Sequence, residues 1–364
     1  MGELWDIYDK NKNKTGRLAE RDVYRFCEGE YHIVVTGIII NDENKILISK
    51  RAKFKKNPEM WECNGGSILA GETSLQGILR ELKEELGVEF KPKDAIFLKE
   101  IRRDKVVSDF KDLWLFYKNV KDEEITFPDG EATEFKWVTI DEFEEMLKNK
   151  EIIHTIDFGR EEYELALEKI ETIKQNRYYD ITESDKPRKN VKYFIQNISE
   201  KPASAIELGC GTGNDTIYLI KNGWNVLSID KEDVEDRINK RLNTDEQEKF
   251  TFKKQRFENL QLSPTSLIVA NNSLSFCNPQ NFNNMWKSIK ENILQGGYFV
   301  GNFFGINDSW AEKGKQMTFL TKEEVYQLFE GFEMIRFEEI EEEKPTAFGK
   351  MKHWHIFNII ARKK

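Results

Sequence analysis

Cysteine is scarce in this sequence, and its few occurrences are scattered. The 364 residues contain four cysteines, Cys27, Cys63, Cys210 and Cys277, and no two of them form a CxxC pair. This spacing excludes a disulfide framework of the kind that small secreted domains use. We therefore expect a reducing compartment.

Long apolar runs and excess positive charge are missing as well. The longest apolar run, residues 33–40, is interrupted by Thr36 and Gly37, and the opening MGELWDIYDKNKNKTG has no signal-peptide core. With 56 Lys and Arg against 65 Asp and Glu, the net charge is −9, which argues against a nucleic-acid footprint. We expect a cytoplasmic protein that binds small molecules rather than a membrane or a nucleic acid, and its oligomeric state stays open.

The residues that are present indicate two globular domains. Hydrophobic residues make up 39% of the chain and aromatic residues 12%, and 364 residues suit two domains of ordinary size. We predict a first domain over 1–158, a connecting helix over 159–176 and a second domain over 177–364. Both are expected to be α/β.

The first half is predicted to be a mixed sheet around one helix. Strand-like segments recur at residues 4–8, 33–40, 46–49, 95–101 and 113–117. The helix is predicted over 74–86, with Thr73 as its N-cap and Gly87 as its C-terminal stop. Gly77 lies inside this helix, where glycine costs about 1 kcal/mol relative to alanine, so we expect close packing there. A second helix is predicted after Thr139.

Three glutamates share one face of the helix over 74–86. Glu81, Glu84 and Glu85 are three and four residues apart, so their carboxylates project together and repel one another unless a cation lies among them. Oxygen ligands of this type suit Mg²⁺ or Mn²⁺. A solvated acidic helix is the alternative.

The second half alternates helices with apolar strands, which indicates a Rossmann-like, doubly wound parallel sheet. Its last two strands, over 333–340 and 353–361, are predicted to form an antiparallel hairpin at one edge of that sheet. The segment AIELGCGTGND runs from a strand through a glycine loop into a helix, and Asp230 closes the next strand. The loop glycines Gly209, Gly211 and Gly213 let the backbone approach a ligand, and Asp230 suits ribose hydroxyls.

The spacing of these glycines separates two kinds of cofactor. A nicotinamide dinucleotide favours G-x-G-x-x-G, but the sixth position from Gly209 is Asn214. S-adenosylmethionine (SAM) has no pyrophosphate to place at the helix N-terminus, and Glu207 precedes the first glycine as in SAM enzymes. We therefore predict SAM as the cofactor.

The N-terminal half resembles the Nudix hydrolases, because GSILAGETSLQGILRELKEELGV carries a complete Nudix box. The resemblance implies an α/β/α sandwich and metal-dependent hydrolysis of a diphosphate, often a nucleoside diphosphate, linked to another group. It implies that Glu84 and Glu85 bind metal, that Glu81 is a ligand or base, and that Arg80 orients these glutamates. Gly66 is expected to lend a carbonyl to the metal, and Glu131, with Glu134 as the alternative, to complete the site.

The N-terminal strand also resembles the isopentenyl diphosphate isomerase-type subgroup of Nudix proteins. His32 stands where those isomerases have a metal-binding histidine, but their reactive cysteine falls at Gly65, two residues from Cys63. Hydrolysis is therefore preferred, isomerisation is kept as the alternative, and Arg51 is expected to contact phosphate.

The C-terminal half resembles class I SAM-dependent methyltransferases, most like the tellurite-resistance and thiol type that act on small molecules. This implies cofactor roles for Glu207, Gly209, Gly211, Gly213, Asp230, Phe257 and Asn271. Tyr178, Tyr179 and Arg188 are expected to close over the cofactor.

A second group of aromatic residues is predicted to wall the methyl-acceptor pocket, namely Phe303, Phe304, Trp310 and Trp354, with a hydrophobic core as the alternative. His353 and His355 alternate on one strand face and are expected to be structural, with a proton-acceptor or metal-binding pair as the alternative. The sequence thus predicts a bifunctional hydrolase and methyltransferase acting on small molecules, and a non-catalytic sensing domain is the alternative of a different class.

Overall fold

The protein is described by a computed structural model that covers residues 2–104, 108–153, 156–198, 200–312 and 316–364, without the side chain of residue 259. The chain divides into two compact units, Met1–Lys174 and Gln175–Lys364. The boundary falls inside one 23-residue helix, Arg160–Thr182. The division at 158 and 176 stays a prediction.

The N-terminal unit is built on a six-stranded mixed sheet. Its strands and helices are β1 (Leu4–Tyr8), β2 (Lys14–Glu20), β3 (His32–Ile40), β4 (Ile46–Arg51), β5 (Trp61–Glu62), α1 (Ser74–Leu86), β6 (Ala95–Arg103), β7 (Asp109–Tyr117), β8 (Ala132–Val138), α2 (Ile140–Lys148) and α3 (Arg160–Thr182). The sheet order is β5-β4-β3-β7-β6 with β8 on β4, and β1 and β2 form a separate pair. Strand β3 runs parallel to β7 and antiparallel to β4.

Strand β3 is apolar along its length because both faces of the sheet are covered. On one face Ile33, Val35 and Ile39 pack with Ile78 and Leu82 of α1. On the other face Ile38 and Ile40 share a core with residues of α2 and α3, including Phe143, Met146, Ala166 and Ile170. These layers confirm the α/β/α sandwich.

Helix α1 begins and ends where the sequence predicted. The Thr73 side chain accepts a hydrogen bond from the N–H of Gln76, and the Gln76 side chain accepts one from the N–H of Thr73. Gly87 ends the helix at φ 74°, a left-handed conformation that glycine adopts without strain. Local capping chemistry is therefore enough to define this helix.

The C-terminal unit is a doubly wound seven-stranded sheet. Its elements are α4 (Lys189–Asn197), β9 (Ser204–Leu208), α5 (Asn214–Lys221), β10 (Asn225–Asp230), α6 (Glu235–Asn239), α7 (Thr244–Gln247), β11 (Phe250–Lys254), β12 (Thr265–Ala270), α8 (Pro279–Asn292), β13 (Ile293–Phe304), α9 (Ser309–Glu312), α10 (Lys322–Leu328), β14 (Phe332–Pro345) and β15 (Met351–Lys363). The strand order is β11-β10-β9-β12-β13-β15-β14.

Two apolar layers enclose this sheet. Residues of α4 and α5 pack on one face and residues of α8 and α10 on the other. Strand β15 is antiparallel to both β13 and β14, which confirms the predicted hairpin at the sheet edge. In the ranges that the structure covers, no helix combines the length and apolar character needed to cross a membrane.

Gly77 packs against Ile68, as its mid-helix position suggested. A Cβ added at Gly77 would lie 2.4 Å from Cγ2 of Ile68, closer than two carbon atoms pack. Ile68 is buried in the core that α1 shares with β3. The glycine is therefore explained by the closeness of the helix to this segment.

We expect Gly77→Ala to lower the stability of the N-terminal unit by about 1–2 kcal/mol. An overlap as close as 2.4 Å belongs in the upper part of the overpacking range, about 2–3 kcal/mol, and the helix-propensity gain recovers only about 1 kcal/mol. Urea unfolding followed by circular dichroism measures the change, with Lys83→Ala on the exposed face of α1 as the control.

The double variant Gly77→Ala/Ile68→Ala separates steric overlap from other effects. Because the two side chains meet, its loss of stability should be smaller than the sum of the two single losses. Additive losses, or a Gly77→Ala protein as stable as its parent, would contradict the packing explanation.

Candidate functional site

Arg80 binds three glutamates of the N-terminal unit at once. Its guanidinium donates hydrogen bonds to Glu72 at 2.9 and 3.1 Å, to Glu81 at 2.9 Å and to Glu84 at 2.8 Å. It also donates to the carbonyl of Ser67 at 3.2 Å. One side chain therefore orients carboxylates that come from α1 and from the loop before it.

Glu85 is buried and held by three donors. Its Oε2 accepts the side-chain amide of Asn64 and the backbone N–H of Gly65, both at 3.0 Å. Its Oε1 accepts the Lys55 ammonium at 3.2 Å. Each carboxylate oxygen thus has a different environment.

Glu131, rather than Glu134, is brought to this cluster. The Lys55 ammonium that binds Glu85 also forms an ion pair with Glu131. Glu134 is 57% exposed and pairs instead with Lys50 at 3.0 Å. Of the two glutamates that the sequence left open, Glu131 is therefore the one that lies at the cluster. A role for Glu131 in catalysis stays a prediction.

Glu62 is a buried member of the cluster that the sequence did not reveal. Its Oε2 lies 2.5 Å from Nη1 of Arg51, which also donates through Nε to the carbonyl of Lys56 at 2.8 Å. Arg51 was expected to contact phosphate, but its guanidinium faces Glu62. A carboxylate inside the short WEC segment directly before the box was the available signal.

Burial and mutual repulsion raise the pKa values of these carboxylates. Burial first, and then the charge of Glu85, raises the pKa of Glu62 and of Glu81 to about 7. Burial also raises the pKa of Glu85, and Lys55 and Asn64 oppose that shift. Additional positive charge would therefore stabilise the ionised cluster.

The cluster fits a divalent cation in charge and donor type. Six acidic side chains share three basic ones, namely Glu62, Glu72, Glu81, Glu84, Glu85 and Glu131 with Arg51, Lys55 and Arg80. Carboxylate oxygens are the ligands that Mg²⁺ and Mn²⁺ prefer. Among the described residues, however, no three Asp, Glu, His or Cys side chains are grouped so that they could hold a metal.

Gly66 leaves room for the Glu81 carboxylate. A Cβ added at Gly66 would lie 2.6 Å from Oε1 and 2.8 Å from Oε2 of Glu81. The Gly66 carbonyl, which was expected to bind metal, accepts the N–H of Val35 at 2.8 Å and keeps one lone pair. The glycine therefore has a steric role in addition to any ligand role.

His32 and Cys63, the residues behind the isomerase alternative, have structural surroundings. The His32 ring stacks on Trp5 with centroids 4.6 Å apart and on Phe26 at 5.0 Å. Its Nδ1 lies 3.3 Å from the carbonyl of Ser108. Cys63 is buried, and burial first, then the charge of Glu62, raises the pKa of its thiol to about 12.

The glycine loop of the C-terminal unit needs its three glycines. Gly209, Gly211 and Gly213 have φ values of 71°, 53° and 74°, in the left-handed region that other residues rarely adopt. A Cβ at Gly209 would lie 2.4 Å from Cβ of Ser273, and one at Gly213 would lie 2.5 Å from Ile238. At Gly211 an added Cβ would meet no described atom within 4 Å. The middle of the loop is therefore open.

Asp230 joins the end of β10 to this loop. Its carboxylate accepts the N–H of Gly211 at 2.9 Å and the N–H of Glu232 at 3.0 Å. Burial raises its pKa, and these two backbone bonds oppose the shift. Each oxygen keeps a lone pair that can accept a ribose hydroxyl.

Glu207 and Asp215 are buried on either side of the loop. Glu207 accepts the hydroxyl of Thr216, and Asp215 accepts the side-chain amide of Asn271 at 2.9 Å and the N–H of Arg188 at 2.7 Å. Burial first, then the charge of Asp215, raises the pKa of Glu207 well above its usual range. A cofactor bearing positive charge would relieve this repulsion.

Two further observations fit SAM at this loop. Phe257 places its ring 3.5 Å from the position of a Cβ at Gly209, so it flanks the loop. The Ser273 hydroxyl, beside Gly209, is buried and has no hydrogen-bond partner among the described atoms. Tyr178 and Tyr179 are close enough to Asp230 for its charge to raise their pKa values, after the larger effect of burial.

Phe303 does not line a pocket, so its predicted place in the acceptor site is wrong. The rings of Phe304, Trp310 and Trp354 surround the ammonium group of Lys352. Phe303 packs in the core with Trp286 and Phe299. The Lys352 ammonium lies 3.8 Å from the ring centroid of Trp354, 4.4 Å from that of Trp310 and 5.6 Å from that of Phe304.

Strand β15 makes polar contacts with the loop after β13 and with β14. Lys352 pairs with the buried Asp308 at 2.5 Å. His355 is buried against Glu339 at 3.2 Å, and His353 contacts Glu341 and Glu343 at 3.1 and 3.0 Å. These contacts agree with the structural roles expected of the two histidines.

The comparisons with known proteins match both halves of the chain. Residues 30–156 match the NUDIX domain model, and residues 171–347 match the model of tellurite resistance protein TehB. An uncharacterised Nudix hydrolase of Listeria monocytogenes is 32% identical over 155 residues, which are 42% of this chain and 88% of that protein. The 8-oxo-dGTP diphosphatase of Escherichia coli is 42% identical over 55 residues, 15% of this chain and 43% of that protein.

A crystal structure of TehB from Haemophilus influenzae matches with a TM-score of 0.41 and 21% identity. The match covers 49% of this chain and 62% of that one, less than two thirds of its length.

We expect Gly66→Ala to reduce diphosphate hydrolysis by about 10²-fold, the loss that a misplacement of about 1 Å can cause. The added methyl group would push the Glu81 carboxylate out of its position beside Gly66. Turnover of nucleoside diphosphate derivatives measures the loss, and the melting temperature shows whether the fold survives. Gly159→Ala is the control, because a Cβ there meets no described atom within 4 Å. Equal losses in both variants would contradict the steric explanation.

Proposed function

The chain belongs to the Nudix hydrolase family and also carries a SAM-dependent methyltransferase domain, and we propose that both domains are catalytic. The N-terminal unit hydrolyses a diphosphate linked to another group. The C-terminal unit transfers the methyl group of SAM to a small acceptor. The observation that carries the proposal is that each unit assembles its motif residues around a cluster of buried carboxyl groups whose pKa values are raised by burial and by their neighbours' charge.

The proposed hydrolase substrate is a nucleoside diphosphate derivative. The Escherichia coli relative that matches part of the N-terminal unit is by name a diphosphatase of a nucleotide, 8-oxo-dGTP. A carboxylate cluster with Arg51, Lys55 and Arg80 at its edges suits a phosphate chain that arrives with cations. The group beyond the diphosphate is set by loops and is left to experiment.

Glu81, Glu84 and Glu85 are not arranged as metal ligands among the described residues, so their side chains would have to converge to hold Mg²⁺ or Mn²⁺, with the Gly66 carbonyl and Glu131 as further donors. Such an ion neutralises charge on phosphate oxygens and lowers the pKa of a bound water. Arg80 keeps Glu81 and Glu84 in place, and Asn64 and Gly65 fix one oxygen of Glu85. Glu81, next to Gly66, is the proposed proton acceptor for the attacking water.

The isomerase alternative has less support. His32 lies in a stack with Trp5 and Phe26, and the raised pKa of Cys63 keeps its thiol protonated near neutral pH. A purely sensing role for either domain is the other alternative. Calorimetry that detects ligand binding without turnover would support it.

In the methyltransferase unit, Asp230 would hold the SAM ribose, and Gly209, Gly211 and Gly213 would hold its amino-acid end. Phe257 would flank the adenine, while Glu207 and Asn271 would fix the loop and Asp215 around the cofactor. These residues align a methyl group for in-line transfer, and alignment supplies most of the rate. The acceptor is proposed to be a small molecule such as a thiol, which is partly ionised near neutral pH.

An unbiased metabolite screen tests both activities. The full-length protein is incubated with a metabolite extract, Mg²⁺ and SAM, and products are identified by mass spectrometry. A hydrolysed diphosphate together with a methylated small molecule is expected. Methylation of RNA or protein alone, or absence of both reactions, would contradict the proposal.

We expect Glu85→Gln to reduce hydrolysis by about 10²-fold or more, as loss of one electrostatic group does in other enzymes. Glutamine keeps the shape of the side chain, so the fold should survive. Steady-state turnover with Mg²⁺ is the measurement, and Glu89→Gln, an exposed residue beyond the helix, is the control. Unchanged turnover in Glu85→Gln would contradict the assignment of Glu85 as a metal ligand.

Asp230→Ala is expected to weaken SAM binding about ten- to a hundredfold. Losing the acceptor leaves ribose hydroxyls unpaired, at a cost of about 1–3 kcal/mol. Isothermal titration calorimetry gives the affinity, with the exposed Asp236→Ala as the control. Equal affinity in Asp230→Ala and its parent would mean that the acid only supports the loop.

A further inference from the structure

Lys55 occupies an unusual position for a lysine. It lies in the loop between β4 and β5, and its side chain is only 13% exposed, whereas those of Lys53 and Lys56 in the same loop are 84% and 89% exposed. Burial of an ammonium group is costly unless it is paired. Lys55 is paired with Glu85 and Glu131, so the carboxylate cluster compensates its charge.

The contact with Glu85 is made at one particular oxygen. Asn64 and Gly65 both donate to Oε2 of Glu85, and the Lys55 ammonium binds Oε1 at 3.2 Å. Oε1 is thus the oxygen of Glu85 that remains available for a metal ion. A cation that binds there has to compete with the ammonium of Lys55.

The loop can release this side chain without losing its base. The N–H of Ala52 donates to the carbonyl of Glu131 at 2.8 Å, and the N–H of Glu59 donates to the carbonyl of Arg51 at 3.0 Å. These bonds involve only the backbone, so they do not depend on where the Lys55 side chain lies. Its departure requires rotation of a flexible chain and movement of the loop tip.

We propose that Lys55 is an internal counter-ion of the Nudix carboxylates, which a divalent cation replaces at Oε1 of Glu85 when it binds. This inference rests on the proposed metal site. The two cations exclude each other at this oxygen, so the charge of Lys55 sets the metal affinity and keeps the metal-free cluster stable. Binding of metal breaks the contact of the ammonium with Glu85, leaves it only the ion pair with the more exposed Glu131, and so loosens the tip of the loop.

Two substitutions should change the metal affinity in opposite directions. Lys55→Met removes the competitor, so the Kd for Mn²⁺ should fall about tenfold. Lys55→Arg should raise the Kd severalfold, because a guanidinium binds a carboxylate through two parallel hydrogen bonds and is harder to displace. Lys53→Met, in the same loop but exposed, should match the parent.

The measurement is Mn²⁺ binding to full-length protein stripped of metal, with free Mn²⁺ followed by electron paramagnetic resonance. If Lys55→Met does not fold without metal, Lys55→Arg carries the test, since it keeps the charge. Hydrogen exchange read by mass spectrometry adds a second readout. Mg²⁺ should speed exchange of the peptide over 52–60 in the parent and leave it unchanged in Lys55→Met.

The outcomes distinguish this inference from the metal site itself. Suppose that Glu85→Gln loses Mn²⁺ binding, whereas the parent, Lys55→Met and Lys55→Arg bind Mn²⁺ equally well. That result would support the metal site and overturn the proposed competition between Lys55 and the metal. Slower exchange of the 52–60 peptide with Mg²⁺ overturns it as well. No Mn²⁺ binding by the parent overturns both proposals.

Discussion

The burial of the Glu85 carboxyl group is the constraint around which the N-terminal site is organised. A carboxylate in the interior is tolerated only when donors or cations surround it. Here Gly65 and Asn64 supply two donors and Lys55 supplies the charge. Gly65 can do so because its backbone runs against β3, where a Cβ would lie 2.1 Å from the carbonyl oxygen of Val35. Gly65 therefore helps to stabilise the Glu85 carboxyl group, because only a residue without a side chain can bring its N–H this close to β3.

The C-terminal unit meets the same constraint with different means. Glu207, Asp215 and Asp230 are buried near one another, and their compensation comes from hydroxyl, amide and backbone donors. None of these donors carries a full charge. The cluster is therefore suited to a ligand that brings its own positive charge, whereas the N-terminal cluster keeps three basic side chains in place.

Local sequence signals predicted the elements well, because they depend on neighbouring residues. The ends of α1 follow from Thr73 and Gly87, and the edge hairpin follows from two alternating segments. The partners of Lys55 and Glu62 could not be predicted, because their contacts depend on a loop and a two-residue strand that meet the rest of the site across the fold.

The sequence also could not show that Phe303 and Phe304 have different surroundings. They are adjacent on β13 and point to opposite faces, so one enters the core and the other faces Lys352. The strand β2 was missed because it is largely exposed and lacks apolar alternation.

The position of β15 has a consequence for how the chain is made. This strand comes last in sequence order but lies between β13 and β14 in the sheet. The sheet of the C-terminal unit therefore cannot close until residue 363 has left the ribosome, whereas the strands of the N-terminal sheet are complete at Val138. During synthesis β13 presents an unpaired edge for as long as β15 is missing, and such edges are prone to pair with other chains. All strands of the N-terminal sheet are therefore available for pairing before β15 of the C-terminal sheet has been made.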